Sequence, residues 1–255
     1  MNRKTISNAT HISRRTFLTR AAGLAGTAVA MPAIVPSSVF GTAAPSSRIT
    51  IGAIGVGRMG MGDLREILGF EEARVVAVCD VDTNRIARAK QTVQSRYAEQ
   101  MSAGAYDGCA GYRDWRDVVA REDIDAVMVV TPDHWHALPA IAAAKAGKDI
   151  FMQKPLSLTI REGREVSDAI KRYNRIFLVG SQQRSDARFR KACELVRNQR
   201  IGELKSVKVG FGTDPGTTPQ PVMPVPKELD YDMWLGPAPY APYTEKRVHP
   251  QSGYG

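Results

Sequence analysis

The feature that most constrains the fold is a glycine-rich turn between two apolar segments. Ile49–Ile54 is a short apolar run, which predicts a buried strand. It leads directly into Gly55-Val56-Gly57-Arg58-Met59-Gly60, and residues 61–68 then have the spacing of an amphipathic helix. A second apolar run over 74–79 ends at Asp80, 20 residues beyond the last glycine of the turn. This order and spacing indicate a parallel βαβ unit.

The residues of the turn have the chemistry of a dinucleotide site. The first glycine permits a tight turn, the second lets the backbone approach a pyrophosphate, and the third allows close packing of helix on strand. The helix start offers unpaired N–H groups and the positive end of its dipole to phosphates. The alternative is a glycine-rich turn in some other α/β protein. We assign the phosphate site to Gly55, Gly57, Arg58, Met59 and Gly60.

Asp80 specifies the kind of dinucleotide. A carboxylate at this position can accept hydrogen bonds from both hydroxyls of the adenosine ribose, and it repels a 2′-phosphate. We therefore predict NAD as the cofactor, with NADP the less favoured alternative.

The rest of the first half alternates strands with helices. Further strands are predicted over 125–130, 149–152 and 176–179, and helices over 84–101, 112–121, 139–146 and from a Thr159/Glu162 capping box to about Tyr173. Residues 107–111 are predicted to form a loop. This pattern predicts an α/β fold with a doubly wound parallel sheet. Ligands of such sheets bind at the carboxyl ends of the strands. The segments at those ends are Thr131-Pro132-Asp133-His134-Trp135-His136, Gln153-Lys154-Pro155 and Gly180-Ser181-Gln182-Gln183-Arg184.

The order of these motifs resembles the Gfo/Idh/MocA oxidoreductases, and in particular their secreted, twin-arginine branch. The resemblance runs from about Arg48 to the end of the chain and includes Trp234-Leu235-Gly236-Pro237-Ala238-Pro239. It implies a Rossmann domain over 46–184 and, over 185–255, part of an α/β domain with an open sheet. That second domain is expected to contain a helix from about residue 186 and a strand over 204–211. Because the chain stops at Gly255, we expect this domain to be incomplete.

The resemblance also implies roles for individual residues. Lys154 is expected beside the nicotinamide, where it contacts substrate and removes the hydroxyl proton during hydride transfer. Partial burial would favour the neutral form that this role needs; the alternative is a solvated lysine. Gln153 stands where the family usually has Glu, and it can still hydrogen-bond the cofactor. The other implied cofactor residues are Thr131, Pro132, Asp133, His134, Trp135, His136 and Gln182.

Two further residues are candidates for substrate binding. Arg184 is expected to hold a substrate hydroxyl or carboxylate, or else to pair with an acid on the surface. His249 is a possible substrate contact. His134 and His136 lie two residues apart without a third ligand of suitable spacing, so no metal site is predicted. Of the three cysteines, Cys79 and Cys193 are expected in the core and Cys109 has no assigned place.

The amino-terminal residues 1–44 resemble a twin-arginine signal peptide. Ser13-Arg14-Arg15-Thr16-Phe17-Leu18-Thr19 carries the arginine pair, and an uncharged stretch follows that is too short and too weakly apolar for a membrane span. The alternative is a disordered basic terminus. Residues 1–44 contain five basic and no acidic residues, so they contribute +5 of the +9 net charge and the remainder carries +4. So small an excess gives no reason to expect a nucleic-acid partner.

These observations leave three functions to be distinguished. The first is hydride transfer between a carbon of a sugar or cyclitol and a tightly held NAD. The second is an NAD-dependent, redox-neutral glycoside hydrolase, which departs from the two-carboxylate scheme. The third is a non-catalytic NAD- or sugar-binding protein. We expect a small carbohydrate or polyol as substrate, a homo-oligomer when the chain is full length, and a periplasmic location reached through the twin-arginine machinery.

Overall fold

The protein, seen here in a computed structural model that describes residues 48–210, 212 and 219–248, is built on a six-stranded parallel sheet. The strand order is β3-β2-β1-β4-β5-β6, so the direction of winding reverses between β1 and β4. A ligand cleft is expected outside the carboxyl ends of the strands at this point. The strands are Ile49–Ile54 (β1), Ala73–Cys79 (β2), Ala110–Tyr112 (β3), Ala126–Val129 (β4), Asp149–Gln153 (β5) and Phe177–Gly180 (β6).

Helices cover both faces of the sheet. The Thr159/Glu162 capping box predicted from sequence is present, and Asn174 ends that helix in a left-handed conformation. The helices are Arg58–Ile67 (α1), Thr83–Arg96 (α2), Ala98–Ser102 (α3), Trp115–Val119 (α4), Ala137–Lys145 (α5), Ile160–Tyr173 (α6), Gln182–Ser185 (α7), Ala187–Arg197 (α8), Tyr231–Leu235 (α9) and Glu245–Val248 (α10). A 3-10 turn, Asp133–Trp135, precedes α5.

Two apolar clusters hold these layers together. Side chains alternate between them along each central strand: Val127 and Val129 lie in one cluster, and Met128 lies in the other. Because both faces of β4 are covered, the strand reads as a continuous apolar run rather than an alternating one. The sequence prediction of a doubly wound parallel sheet is confirmed.

Three local predictions were wrong. Residues 107–111 were expected to be a loop and 112–121 a helix, but Ala110–Tyr112 pairs with β2 and the helix is only Trp115–Val119. A three-residue strand at the sheet edge has too little periodicity to be read from sequence. The helix expected over 84–101 is broken at Tyr97, whose buried hydroxyl donates to the Ala73 carbonyl at 3.3 Å. This tertiary contact overrides the local helical pattern.

The chain beyond the sheet also differs from expectation. The helix predicted from about 186 is present as α8, with the Asp186 side chain capping its start. A strand was predicted over 204–211, but the described residues 204–210 form no strand and are exposed. No neighbouring strand meets them in the part of the chain described, so their apolar side chains have no sheet to join. Cys193 is exposed rather than in the core, whereas Cys79 and Cys109 are buried.

Residues 226–248 return to the sheet, and we call this segment the strap. Leu229 forms an antiparallel bridge with Asp82, just beyond the end of β2. Leu229, Tyr231 and Tyr243 form a third apolar cluster, against which Val81 packs. The predicted signal peptide and His249 lie outside the described residues. Of the helices within those residues, none has the length and apolar character that crossing a membrane requires.

Candidate functional site

A cleft of about 630 Å³ opens at the carboxyl ends of β1, β2 and β4. Its position is the one expected from the reversal of winding. Most of the residues predicted to bind a dinucleotide line this one cleft. They are Gly55, Gly57, Arg58, Met59, Gly60, Asp80, Thr131, Pro132, Asp133, His134 and Trp135.

The three glycines of the turn are needed for different reasons. Gly55 has φ +84°, and a Cβ there would lie 2.5 Å from the Val130 carbonyl oxygen. A Cβ on Gly60 would overlap the Gly55 carbonyl oxygen, because the helix lies directly on the turn. Gly57 has an ordinary φ of −67°, and the nearest atom to a Cβ is the Arg85 guanidinium at 3.4 Å. The fold therefore requires Gly55 and Gly60, whereas Gly57 keeps free a space at the start of α1.

Asp80 lies buried at the end of β2 with its carboxylate fixed in place. It accepts hydrogen bonds from the Val56 N–H at 2.9 Å and the Asp82 N–H at 3.1 Å, one to each oxygen. Burial raises the pKa of the Asp80 carboxyl, while the Arg85 guanidinium at 4.0 Å and the two N–H groups lower it. Each oxygen keeps acceptor capacity for a further hydroxyl. The open space at Gly57 and the oriented carboxylate together fit the pyrophosphate and ribose of NAD.

The cleft is also lined by residues that the sequence motifs did not indicate. Arg85, Arg113 and Arg247 bring three guanidinium groups to it, and Trp115 adds an indole. Together with Trp135 and Trp234, which the motifs did include, all three tryptophans of the protein line the cleft. Positive charge and aromatic faces suit an anionic, aromatic ligand. No spacing rule could have found this set, since its members come from segments far apart in the chain.

His134 and His136 have different places. His134 lines the cleft, and its Nε2 lies 2.9 Å from the Trp234 carbonyl oxygen. His136 was expected to line the cofactor, but it is buried behind the cleft. Its two ring nitrogens lie 2.9 Å from the Thr131 carbonyl oxygen and 2.6 Å from that of Pro155. His136 is therefore a positioning residue that joins the segments after β4 and β5.

The Gln153 side chain also lies outside the cleft lining and is hydrogen-bonded to other protein groups. Its Nε2 donates to Asp63 Oδ2 on α1 at 2.8 Å, and its Oε1 accepts from the Lys154 N–H at 2.9 Å. Gln182 Nε2 donates to the same Oε1 at 3.2 Å. Burial raises the pKa of Asp63, and the bond from Gln153 opposes that shift. These bonds link α1 to the segment that carries Lys154, and neither Gln153 nor Gln182 lines the cleft. Their contact with the cofactor stays a prediction.

Lys154 and Arg184 lie outside the cleft lining. Both side chains are exposed, so the expected partial burial of Lys154 is wrong for this structure. The backbone of Lys154 nevertheless follows β5 at the sheet edge where the cleft opens. A different lysine is buried: Lys148, at the opposite end of β5, donates from Nζ to the Ile124 carbonyl at 2.8 Å and to that of Arg121. Its role is structural, because it lies far from the carboxyl edge of the sheet.

Within residues 48–210, 212 and 219–248, no group of three or more His, Cys, Asp or Glu side chains is placed to hold a metal ion. The polar groups of the cleft are those of a nucleotide site. They include backbone N–H groups at a helix start, the oriented carboxylate of Asp80 and several guanidinium groups.

Comparison with known proteins agrees with this geometry. Residues 49–181 match the family model described as the oxidoreductase family with an NAD-binding Rossmann fold. The chain belongs to the Gfo/Idh/MocA oxidoreductase family. Residues 206–254 match the model of that family's C-terminal α/β domain. The predicted membership of this family is confirmed, as is the NAD-binding Rossmann fold.

Among curated relatives, a glycosyl hydrolase family 109 protein of Shewanella amazonensis is 37% identical over 163 residues, which are 59% of this chain and 35% of the relative. The uncharacterized oxidoreductase YrbE of Bacillus subtilis is 29% identical over 164 residues, which are 64% of this chain and 44% of YrbE. The chain thus spans less than half the length of either relative.

Solved structures of inositol dehydrogenases are also similar. The scyllo-inositol dehydrogenase of Lactobacillus casei, solved with NAD(H) and scyllo-inositol, is 28% identical with a TM-score of 0.53. The myo-inositol 2-dehydrogenase of Lactobacillus plantarum is 30% identical with a TM-score of 0.54. In both cases the match covers 61% of this chain and 43% of the other.

Proposed function

We propose that this protein is an oxidoreductase that transfers a hydride between a hydroxyl-bearing carbon of a sugar or cyclitol and a tightly held NAD. The observation that carries the proposal is the cleft in which Gly57 leaves room for a pyrophosphate while Asp80 presents a fixed carboxylate. The likeness to two inositol dehydrogenases supports a polyhydroxylated substrate.

We propose NAD rather than NADP because of the charge at Asp80. A 2′-phosphate would bring two negative groups together at a buried site, which is unfavourable. Arg85 lies 4.0 Å from Asp80 and partly offsets this repulsion. Comparing the dissociation constants of NAD and NADP tests the proposal. We expect NADP to bind at least about tenfold more weakly, and Asp80→Asn to narrow the difference. Equal affinities in the unaltered protein would overturn the assignment.

Bound NAD would supply a nicotinamide ring that accepts or returns the hydride. We propose that Lys154 takes the hydroxyl proton of the substrate, from its position at the carboxyl end of β5. Lys154→Ala is then expected to lower kcat by about 100-fold or more while the dissociation constant for NAD stays unchanged. Lys145→Ala is a matched control, because Lys145 is exposed at the end of α5 and precedes β5. Unchanged turnover by Lys154→Ala would show that another group is the base.

A redox-neutral glycoside hydrolase is the second candidate. Several curated relatives carry the name glycosyl hydrolase family 109 protein. On this alternative, NAD would take a hydride from one carbon of the sugar, which acidifies the C–H of the neighbouring carbon. That proton and the glycosidic group would leave, water would add to the resulting double bond, and the hydride would return to the sugar. Activity assays with aryl glycosides and with inositols distinguish the hydrolase from the dehydrogenase. Aglycone release without net NADH supports the hydrolase, and NADH formed with an inositol supports the dehydrogenase. NAD binding without either reaction would indicate a non-catalytic binding protein.

We also propose that the protein is exported through the twin-arginine pathway to the periplasm and that, as the family resemblance implies, the full-length protein assembles as a homo-oligomer. The sequence Ser13-Arg14-Arg15-Thr16-Phe17-Leu18 supports export. Because that pathway carries folded proteins, NAD could be bound before export and retained afterwards. Replacing both arginines by lysine should leave the protein in the cytoplasm, which cell fractionation measures. Unchanged export of the double variant would contradict the assignment.

A further inference from the structure

The strap crosses the mouth of the cleft and is attached on both sides of it. On the side of β2, the Asp230 N–H donates to the Val81 carbonyl at 2.9 Å, and the Thr83 N–H donates to the Glu228 carbonyl at 3.1 Å. These bonds lie directly beyond Asp80, where the adenosine ribose of a dinucleotide is expected. The first attachment of the strap is therefore at the adenosine end of the cleft.

The second attachment is to the segment after β4. Trp135 Nε1 donates to the Met233 carbonyl at 2.9 Å, and the Trp234 carbonyl lies 2.9 Å from His134 Nε2. Gly236 packs directly on the Trp135 indole, so closely that any Cβ at that position would overlap the ring. This attachment is on the other side of β1, towards the end of the cleft where a nicotinamide is expected.

The strap also faces the cleft. Trp234, at the second attachment, and Arg247 and Val248, further along the chain, line the same cavity as Gly57 and Asp80. The Arg85 guanidinium, which stands beside Gly57, also donates to the Val248 carbonyl at 3.4 Å. A ligand in the cleft would thus lie between the carboxyl ends of the strands and the strap.

From this arrangement we propose that the strap is the outer wall of the dinucleotide site and retains the cofactor. The inference rests on the proposed binding of NAD and adds to it the residues that control release. A dinucleotide enclosed in this way leaves only when one attachment of the strap opens. Weakening an attachment should therefore raise the dissociation rate constant more than it changes the association rate constant.

Gly236→Ala is the variant that tests this proposal, because its methyl group would displace the strap from Trp135 without changing a residue that lines the cleft. Gly202→Ala is the matched control. Gly202 also has a positive φ, +78° against +49° for Gly236, but a Cβ there meets nothing within 4 Å. Both substitutions impose backbone strain, and only Gly236→Ala disturbs the strap.

The readout is the release of NADH from the full chain. NADH is bound, excess NAD is added in a stopped-flow instrument, and energy transfer from the three tryptophans to NADH is followed. We expect Gly236→Ala to release NADH about tenfold faster or more, because the two hydrogen bonds to His134 and Trp135 are lost together. Gly202→Ala should release it at the rate of the unaltered protein.

The outcomes separate the strap from the proposed function. If the unaltered protein takes up no NADH, the proposed function fails. If NADH binds and both glycine variants release it at the unaltered rate, the strap is not a retaining wall. If Gly236→Ala does not fold, Asp230→Ala is used in its place. The Asp230 side chain caps α9 and pairs with Arg113 at 3.9 Å, and it does not line the cleft. An unchanged release rate in that folded variant would equally overturn the proposal.

Discussion

Replacing Gly57 by alanine should weaken NAD binding without destabilising the fold. Gly57 lies at the start of α1 with φ −67°, which any L-residue adopts without strain. The new methyl group would meet only the Arg85 guanidinium at 3.4 Å, the end of a flexible side chain. It would occupy the space in which a pyrophosphate is expected to contact the backbone. We therefore expect a folded protein that has lost most of its affinity for NAD.

The magnitudes follow from the same geometry. Removing glycine from the unfolded chain stabilises the fold by about 0.4–1 kcal/mol, and losing glycine at a helix start costs a similar amount. The melting temperature should accordingly change by no more than about 4 °C. Hydrogen bonds to a charged group are worth about 1.5–3 kcal/mol, so displacing the phosphate from one N–H raises the dissociation constant by about 10- to 150-fold.

The assay is a calorimetric titration of NAD into each variant, paired with thermal unfolding. Gly62→Ala is the matched control, since Gly62 lies on the same helix and a Cβ there meets nothing within 4 Å. That substitution should stabilise the helix by about 1 kcal/mol and leave the affinity for NAD unchanged. If Gly57→Ala folds and binds NAD as tightly as the unaltered protein, the pyrophosphate does not lie on this turn and our reasoning is refuted.

Three further predictions concern stability. Gly60→Ala should lower the free energy of unfolding, measured with urea, by more than about 3 kcal/mol, because its Cβ would overlap the Gly55 carbonyl oxygen. A loss under about 1 kcal/mol would contradict the packing described. Gln153→Ala should cost about 1–3 kcal/mol at neutral pH by leaving the buried Asp63 carboxylate without its donor. Burial raises the pKa of Asp63, so the contribution of this group to stability is greatest below its ordinary pKa and is lost as pH rises through the folded value. Gln153→Ala raises the pKa of Asp63 further, so the stability lost by the variant should shrink as pH falls towards about 4. A loss of stability that does not depend on pH would argue against this pair. Lys148→Ala should lose about 1–3 kcal/mol of stability with unchanged affinity for NAD, and weakened NAD binding would place Lys148 nearer the site than the structure does.

The sequence predicted those parts of the fold whose determinants are local. The first strand, the glycine turn and the second strand were found because each has its own residue pattern, and Asp80 follows at a fixed spacing. The capping box at Thr159 is equally local, since its two side chains bond each other's backbone groups across three residues.

What the sequence did not predict depends on contacts between distant segments. The bond between His134 and the Trp234 carbonyl joins residues 100 positions apart, and no spacing rule foresees it. The three-residue β3 exists only because β2 offers its edge. The burial of His136 and the exposure of Lys154 likewise follow from how the segments after β4 and β5 pack, which a single sequence does not reveal.

The central claim is that the cleft between Gly57 and Asp80 binds NAD, and an equilibrium titration followed by tryptophan fluorescence tests it most directly. All three tryptophans line the cleft, so occupation should quench their emission. We predict saturable binding of one NAD per chain, weakened at least about tenfold by Asp80→Ala. A folded protein that shows no saturable response to NAD would contradict the claim.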